Sequence, residues 1–571
     1  MRSVPSWLAR AWPWALSLLV TAPLLAPGYV LTYDMVWVPH LDPTRSDLWG
    51  LGSALPRAVP SDAVVALLGA VLPASLVQKL VLVLALGLAG EGARRLLRDA
   101  GSAAQVGATT FYVVNPFVAE RLVLGQWPLL VAYAALPWLL RAGLALRAGA
   151  PGAWVPLGIA VLATALSPAT GLMGALAVVV TQVGRGTAAA RRWTVAVALV
   201  VGANAPWVLA GLVHVGSARS DPAAVDAFSL QPEAGVGRLG AALSLGGVWN
   251  TEVVPDSRTL AVAPVLVVLV WAVVLAGVGP ARRASAPLVP LAVLGAAGLI
   301  VALAGWLVPD AVAAVVDAVP GGGLVRDGTR YLALLAPLQA LLVGHALGAL
   351  ARRLRRAPRA SRWVVVTVVA LLPLVELPDL AWGVGGRLSP VAYPASWTQA
   401  RQAVSDLDAP GDVLVLPFGS YRAPSWNRGR PVLDPAGRFF DRSTLVDDTL
   451  RVSGRPIAGE DPRAGRVGEA LGRPGLAQTL AREGVGVVVV ERDAGPVGLP
   501  ADGLAALDPV LTGGDVDVYA VPGEVDVRRP AWGEVAAVAA GWALALLTLA
   551  AVAVGLVRRS ASRRHPQHEA R

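Results

Sequence analysis

Asp34 is the carboxylate best placed in this chain to act as a base. It lies three residues beyond an apolar stretch at 11–31 and is flanked by Tyr33, Met35 and Trp37. A carboxylate at a half-apolar membrane rim loses part of its hydration, which makes it a better proton acceptor. The plain structural alternative is a helix-end carboxylate that faces water or pairs with an Arg. His40, Asp42 and Asp47 follow in the same loop. Asp42-Pro43 reads as a turn initiator, and His40 reads as a solvated interface residue more readily than as a ligand.

The segment GGGLVRDGTRYLALL at 321–335 sets Arg326 and Arg330 four residues apart at the start of another apolar stretch. On a helix that begins early they share a face. Paired guanidiniums grip phosphate with parallel donors, and a helix N-terminus adds its own attraction for anions. An ion pair with Asp327, Asp310 or Asp34 is the alternative. A third group, Glu120, Arg121 and Gln126, falls in VNPFVAERLVLGQWPLL at 114–130. It reads either as part of a ligand site or as a rim salt bridge beside an aromatic belt.

Several chemistries are excluded outright. With no cysteine, the chain has no thiol nucleophile, disulfide or Cys-bound zinc. The five His show no metal-ligand spacing. The first outer loop has no adjacent acids and no Asp-x-Asp, Glu-x-Asp or Asp-x-Glu, which weakens the case for a divalent metal without excluding one; no cofactor and no metal ligand are assigned.

These residues must be positioned by membrane helices. Of 571 residues 55% are hydrophobic and 15% charged, and the mean hydropathy is +0.60. Soluble domains are nearer a quarter charged. About 20 apolar residues make a span, which predicts twelve: 11–31, 74–93, 102–118, 127–146, 152–168, 169–184, 193–213, 259–279, 286–307, 329–350, 363–382 and 531–557. The segments 152–168 and 169–184 meet at Ser167-Pro168 and could form one kinked hairpin.

Arg clusters fall at 94–98, 185–192, 282–283, 352–362 and 558–564. With twelve spans every cluster is cytoplasmic, as are both termini. The formal charge of +10 therefore reads as topology and not as nucleic-acid binding. The first span, with Arg2 and Arg10 before it, reads as a retained anchor and not a cleaved signal peptide.

The predicted organisation is mainly α. A multi-span membrane domain covers 1–382, with outer loops 32–73 and 214–258. An extracytoplasmic α/β domain covers 383–530, a last span 531–557 and a basic cytoplasmic tail 558–571. The outer domain holds 16 Arg against 19 Asp and Glu, a net of −3. Strands are expected at 412–418, 485–491 and 515–521, with helices at 399–407 and 475–484. The amphipathic piece SDAVVALLGAVLP, with Ser61 as N-cap, reads as a helix lying on the outer leaflet.

Taken together, Tyr33-Asp34, the NPFVAERLVLGQWPLLVAYAALPWLL stretch, RDGTRYLALL, and YPASW, LVLPFGSY and EGVGVVVVE of the outer domain resemble the GT-C superfamily of polytopic membrane glycosyltransferases. The likeness is nearest to its actinobacterial arabinofuranosyltransferase-type and YfhO-type members. The resemblance implies transfer of a sugar from a polyprenyl-phosphate donor to a cell-envelope glycan or lipid acceptor, on the outer face of the plasma membrane. It implies Asp34 as base and Arg326 and Arg330 as phosphate clamp. Tyr33, Trp37, His40, Glu120, Arg121 and Gln126 are the expected substrate contacts, membrane lipids the surroundings. A non-catalytic envelope scaffold of the same fold and a lipid or polysaccharide transporter are the alternative readings.

Overall fold

A computed structural model describes residues 6–183, 187–216, 220–319, 321–452, 454–494 and 501–564. Arg2, Arg185 and the tail beyond residue 564 lie outside them. Among the described residues eight helices are long and apolar enough to cross a membrane: Ser6–Leu25, Ala74–Leu96, Trp127–Arg147, Ala189–Val213, Ala263–Arg283, Leu288–Leu307, Gly328–Arg356 and Trp532–Ala561. Ala360–Glu376, bent by 69° against Pro378–Gly385, makes a ninth if that pair is one span.

The other three expected spans are short helices. Ser102–Val113 has 12 residues, Trp154–Thr164 has 11 and Pro168–Gln182 has 15. Twelve residues at 1.5 Å each reach only about 18 Å, well short of a bilayer core of about 30 Å. The breaks fall at Asn115-Pro116 and Ser167-Pro168, since a residue before proline is pushed out of the helical region. Each break starts a new helix. Asn115 accepts the Val118 amide, and Ser167 forms a capping box with Thr170.

The fold is that of a polytopic helical membrane protein. Leu275, Val289, Ile300 and Leu547 are 70%, 75%, 67% and 67% exposed on the span helices, apolar surface that lipid covers.

The stretch 383–530 carries β1 (Asp412–Leu416), β2 (Tyr421–Arg422), β3 (Val432–Leu433), β4 (Thr444–Leu445), β5 (Leu450–Val452), β6 (Arg455–Ile457), β7 (Val485–Glu491), β8 (Asp508–Leu511) and β9 (Val516–Ala520). Five of them form one sheet in the order β4-β1-β7-β9-β8. β1 runs parallel to β4 and β7, and Val413 faces Val487. β9 runs antiparallel to both β7 and β8. β7, VGVVVVE, is buried throughout, as a continuous apolar run in a central strand should be. Helices Ala395–Asp406 and Leu476–Arg482 pack on β9 and β7.

The outer stretch is not a separate bead. The first outer loop is stitched to it by backbone bridges from Tyr29 to Val391 and from Tyr33 to Val432. One hydrophobic core runs from the membrane helices through Met35 and Trp37 to Trp397 and Phe439. In the same loop Ser61–Gly69 is helical, but Ser61 is not its N-cap. Pro60 takes that position, and the Ser61 hydroxyl donates back to the Ala58 carbonyl.

Candidate active site

A tight turn presents Asp34. Thr32 and Met35 pair across it (Met35 N to Thr32 O, 2.8 Å), leaving Tyr33 and Asp34 at the tip. Tyr33 has φ of +37°, a conformation that costs a bulky residue of order 1–3 kcal/mol and persists only where surroundings impose it. They do. The Tyr33 amide donates to the Pro431 carbonyl (2.7 Å), its carbonyl accepts from Leu433 (2.8 Å), and the Asp34 amide donates to the Leu124 carbonyl (3.0 Å). Gly125, at φ +72°, makes room: a Cβ there would lie 2.3 Å from the Met35 nitrogen and 2.4 Å from the Thr32 oxygen.

The half-buried Asp34 carboxylate is held from two sides. Oδ1 accepts from the Tyr421 hydroxyl at 2.6 Å, and Oδ2 accepts from Gln126 Nε2 at 3.1 Å. Desolvation of the Tyr421 hydroxyl, then the adjacent Asp34 charge, push the phenol well above its ordinary range. It therefore stays protonated and donates. An ionised carboxylate offers about four lone-pair sites, so two remain for another donor.

Gln126 passes the connection inward. Its Oε1 accepts from Arg121 Nη1 at 3.0 Å. Arg121, 1% exposed, donates from Nη2 to Thr329 Oγ1 at 2.5 Å and pairs with Asp327 at 3.5 Å. Asp327 also pairs with Arg330 at 2.8 Å. Burial alone would raise the Asp327 carboxyl, but Arg121 and Arg330 together hold it below the usual range. The charges of Arg121 and Arg330 both reach Asp34. Residues from the first loop, the short helix Pro116–Val123, the start of Gly328–Arg356 and β2 thus meet at one carboxylate.

Other expected site residues go elsewhere. Arg326 donates to Glu460 Oε1 at 2.9 Å and lies over the Phe228 ring. Glu460 also takes Arg57 and the Ser220 hydroxyl. Trp37 is 1% exposed and packs on Trp127, inside the core. His40 is exposed. The Tyr33 hydroxyl donates to Glu252 at 2.6 Å; burial, then this partner, push the phenol up to about 12. Glu120, 2% exposed, turns away from Asp34 toward Glu233. Burial, then the Glu233 charge, raise its carboxyl well above the ordinary range. Nearby, Arg258 bridges Glu233 and Glu376.

Sequence reasoning assigned no role to Tyr421, Thr329 or Glu252, and considered Asp327 only as an ion-pair partner. Tyr421 and Thr329 sit inside the quoted LVLPFGSY and RDGTRYLALL motifs, which was the available signal. Among the described residues no three His, Asp or Glu are grouped so as to hold a metal ion.

The fold has solved counterparts. The cryo-EM structure of the arabinofuranosyltransferase AftD from Mycobacteria matches 92% of this chain with a TM-score of 0.58 at 20% identity. The chain shares the AftD fold. A mutant form of AftD matches with a TM-score of 0.57 at 18% identity. The chain spans about 40% of AftD's length. In sequence it is 32% identical over 149 residues to an alpha-(1->3)-arabinofuranosyltransferase of Mycobacterium tuberculosis (strain ATCC 25618 / H37Rv). That match covers 24% of this chain and 10% of the relative. No family model matches the chain.

Proposed function

We propose that this protein is a GT-C type membrane glycosyltransferase. It moves a sugar from a polyprenyl-phosphate donor to a cell-envelope glycan or lipid acceptor on the outer face of the membrane. The observation that carries the reading is the convergence of Asp34, Tyr421, Gln126, Arg121 and Arg330 at one half-buried point, in a fold shared with an arabinofuranosyltransferase.

The mechanism follows from the arrangement. Asp34 takes the proton of the acceptor hydroxyl as that oxygen attacks the sugar's anomeric carbon. The bond from that carbon to the donor phosphate oxygen breaks, and the phosphate leaves with the electron pair. Tyr421 and Gln126 aim the carboxylate. Arg330, 33% exposed at its side chain, faces the leaving charge, while the buried Arg121 braces Gln126 and Asp327 behind it. Preorganised positive charge at a site of developing negative charge is commonly the largest part of such catalysis.

The orientation belongs to the same proposal. Arg141 bonds the Arg95 carbonyl, Arg192 the Arg147 carbonyl and Arg559 the Gly152 carbonyl. These contacts gather the basic helix ends on one face. The positive-inside tendency makes that face cytoplasmic, with the sheet domain outside.

The test is transfer itself. The full chain in lipid nanodiscs, given polyprenyl-phosphate arabinofuranose and an arabinan acceptor, should lengthen the acceptor, and Arg330→Ala should slow this at least tenfold. No lengthening by the intact chain would remove the enzyme reading and leave the scaffold.

A further inference from the structure

A cavity of about 220 Å³ opens between the first outer loop, the β1–β4 edge of the sheet and the segment leading into the last membrane helix. Asp34, Tyr421 and Arg330 do not line it. Its charged lining is Asp47, Asp62, Asp412, Asp448, Asp461 and Arg463, joined by Arg528 from the membrane side. Arg45 and Arg438 pair with Asp47 and Asp62 from behind the wall, so five carboxylates stand against four guanidiniums, a formal charge of −1. Such a wall offers a phosphate no net positive charge. The rest of the lining is hydroxyls, including Ser53, Ser443 and Thr444, and aliphatic side chains such as Leu48, Leu51 and Leu445.

We propose that this cavity binds a neutral stretch of acceptor glycan. The chemistry matches a sugar chain on each count. Hydroxyl groups donate to carboxylates, and the C–H faces of the rings pack on Leu and Val. Asp47 and Asp461 are engaged at both oxygens, but Asp412, Asp448 and Asp62 are each fixed through one oxygen, so the other stays available. Asp412 Oδ2 pairs with Arg463 at 2.5 Å. Asp448 Oδ2 accepts the Glu460 and Asp461 amides at 2.6 and 3.0 Å. Asp62 Oδ2 pairs with Arg438 at 2.8 Å.

An independent observation points to an occupant. Arg463 lines the cavity, is 7% exposed, and its Nη2 has no hydrogen-bond partner among the described residues. Its Nε and Nη1 are engaged by the Glu483 carbonyl and Asp412. A buried guanidinium nitrogen left unpaired is costly, and an occupant that draws the guanidinium toward the cavity would satisfy it.

Arg438, paired with Asp62 in the cavity wall, also feels the Asp34 charge.

The choice of glycan rests on the transferase reading, so binding and transfer are measured separately. An α-linked arabinofuranose hexasaccharide is titrated calorimetrically into the full chain in nanodiscs. Saturable binding is expected. Asp412→Asn should weaken it at least tenfold, as should Ala54→Trp, which fills the mouth at an exposed position and spares every ion pair. Polyprenyl-phosphate binding should be unchanged in both variants. No saturable binding by the intact chain overturns the proposal, as does binding that both variants leave intact. So does uptake of calcium in place of the hexasaccharide. Cavity-dependent binding without any transfer would keep the glycan site and sink the transferase reading.

Discussion

Arg326 and Arg330 stand four residues apart and serve different partners. Arg326 caps the end of the 3-10 helix Gly322–Val325 and Arg330 lies in the next one, Gly328–Leu334, so the two do not share one helix and the four-residue spacing does not keep them on one face. Arg330 turns to Asp327 and toward Asp34, and Arg326 turns to Glu460. Arg330→Ala should therefore weaken lipid-phosphate binding by roughly ten- to a hundredfold, the loss of one charge-assisted contact of about 1.5–3 kcal/mol. Arg326→Ala should leave that affinity within about threefold. It should instead lower the melting temperature, because the buried Glu460 loses one of its cations at a cost of about 1–3 kcal/mol. Equal effects of the two substitutions on lipid binding would restore a shared clamp. The residue types at this rim were legible in the sequence, because charge is conspicuous where the membrane makes it costly. Their pairing was not, because it depends on which helix geometry the Gly-rich entry adopts.

At the scale of elements, the site depends on two tight approaches. Gly125→Ala would force a Cβ to 2.3 Å from the Met35 nitrogen at a left-handed backbone position. It should shift the Thr32–Met35 turn, cost of order 1–3 kcal/mol and slow transfer more than it weakens donor binding. Comparing kcat with the lipid Kd checks this. The second approach is the helix Pro116–Val123, whose Glu120 carboxyl is raised by burial and by the Glu233 charge. Its folded pKa lies above the unfolded value. The stability it contributes is therefore complete at acid pH and lost as pH rises through the folded value. Glu120→Gln has no carboxyl to titrate there and should flatten the fall of Tm on the alkaline side. An unchanged Tm profile would contradict a raised Glu120 carboxyl. The Asn115-Pro116 break that creates this helix was visible in the sequence, and so were strands at 485–491 and 515–521, because apolar runs and prolines act locally. The pairing of Tyr33 with β3 was not, since it joins residues some 400 positions apart, and local pattern carries no information about such contacts.

At the scale of the whole molecule, the membrane fold follows from composition and Arg placement, whereas three of the expected spans are too short to cross alone. Hydropathy windows merge helices that prolines separate. Orientation can be read directly because the chain has no cysteine. Thr398→Cys on the exposed face of the helix Ala395–Asp406 should react with a membrane-impermeant thiol reagent in intact cells. Labelling only after permeabilisation would invert the topology. The central claim is that the membrane helices and the sheet domain close around Asp34 so that it can take a proton. The most direct measurement is transfer by Asp34→Asn beside intact binding of polyprenyl phosphate. The amide keeps the shape but cannot accept the proton, and a positioned base contributes about 10²–10⁴-fold. Transfer should fall by at least that range, with lipid binding and Tm unchanged. Transfer at the wild-type rate in Asp34→Asn would contradict the central claim.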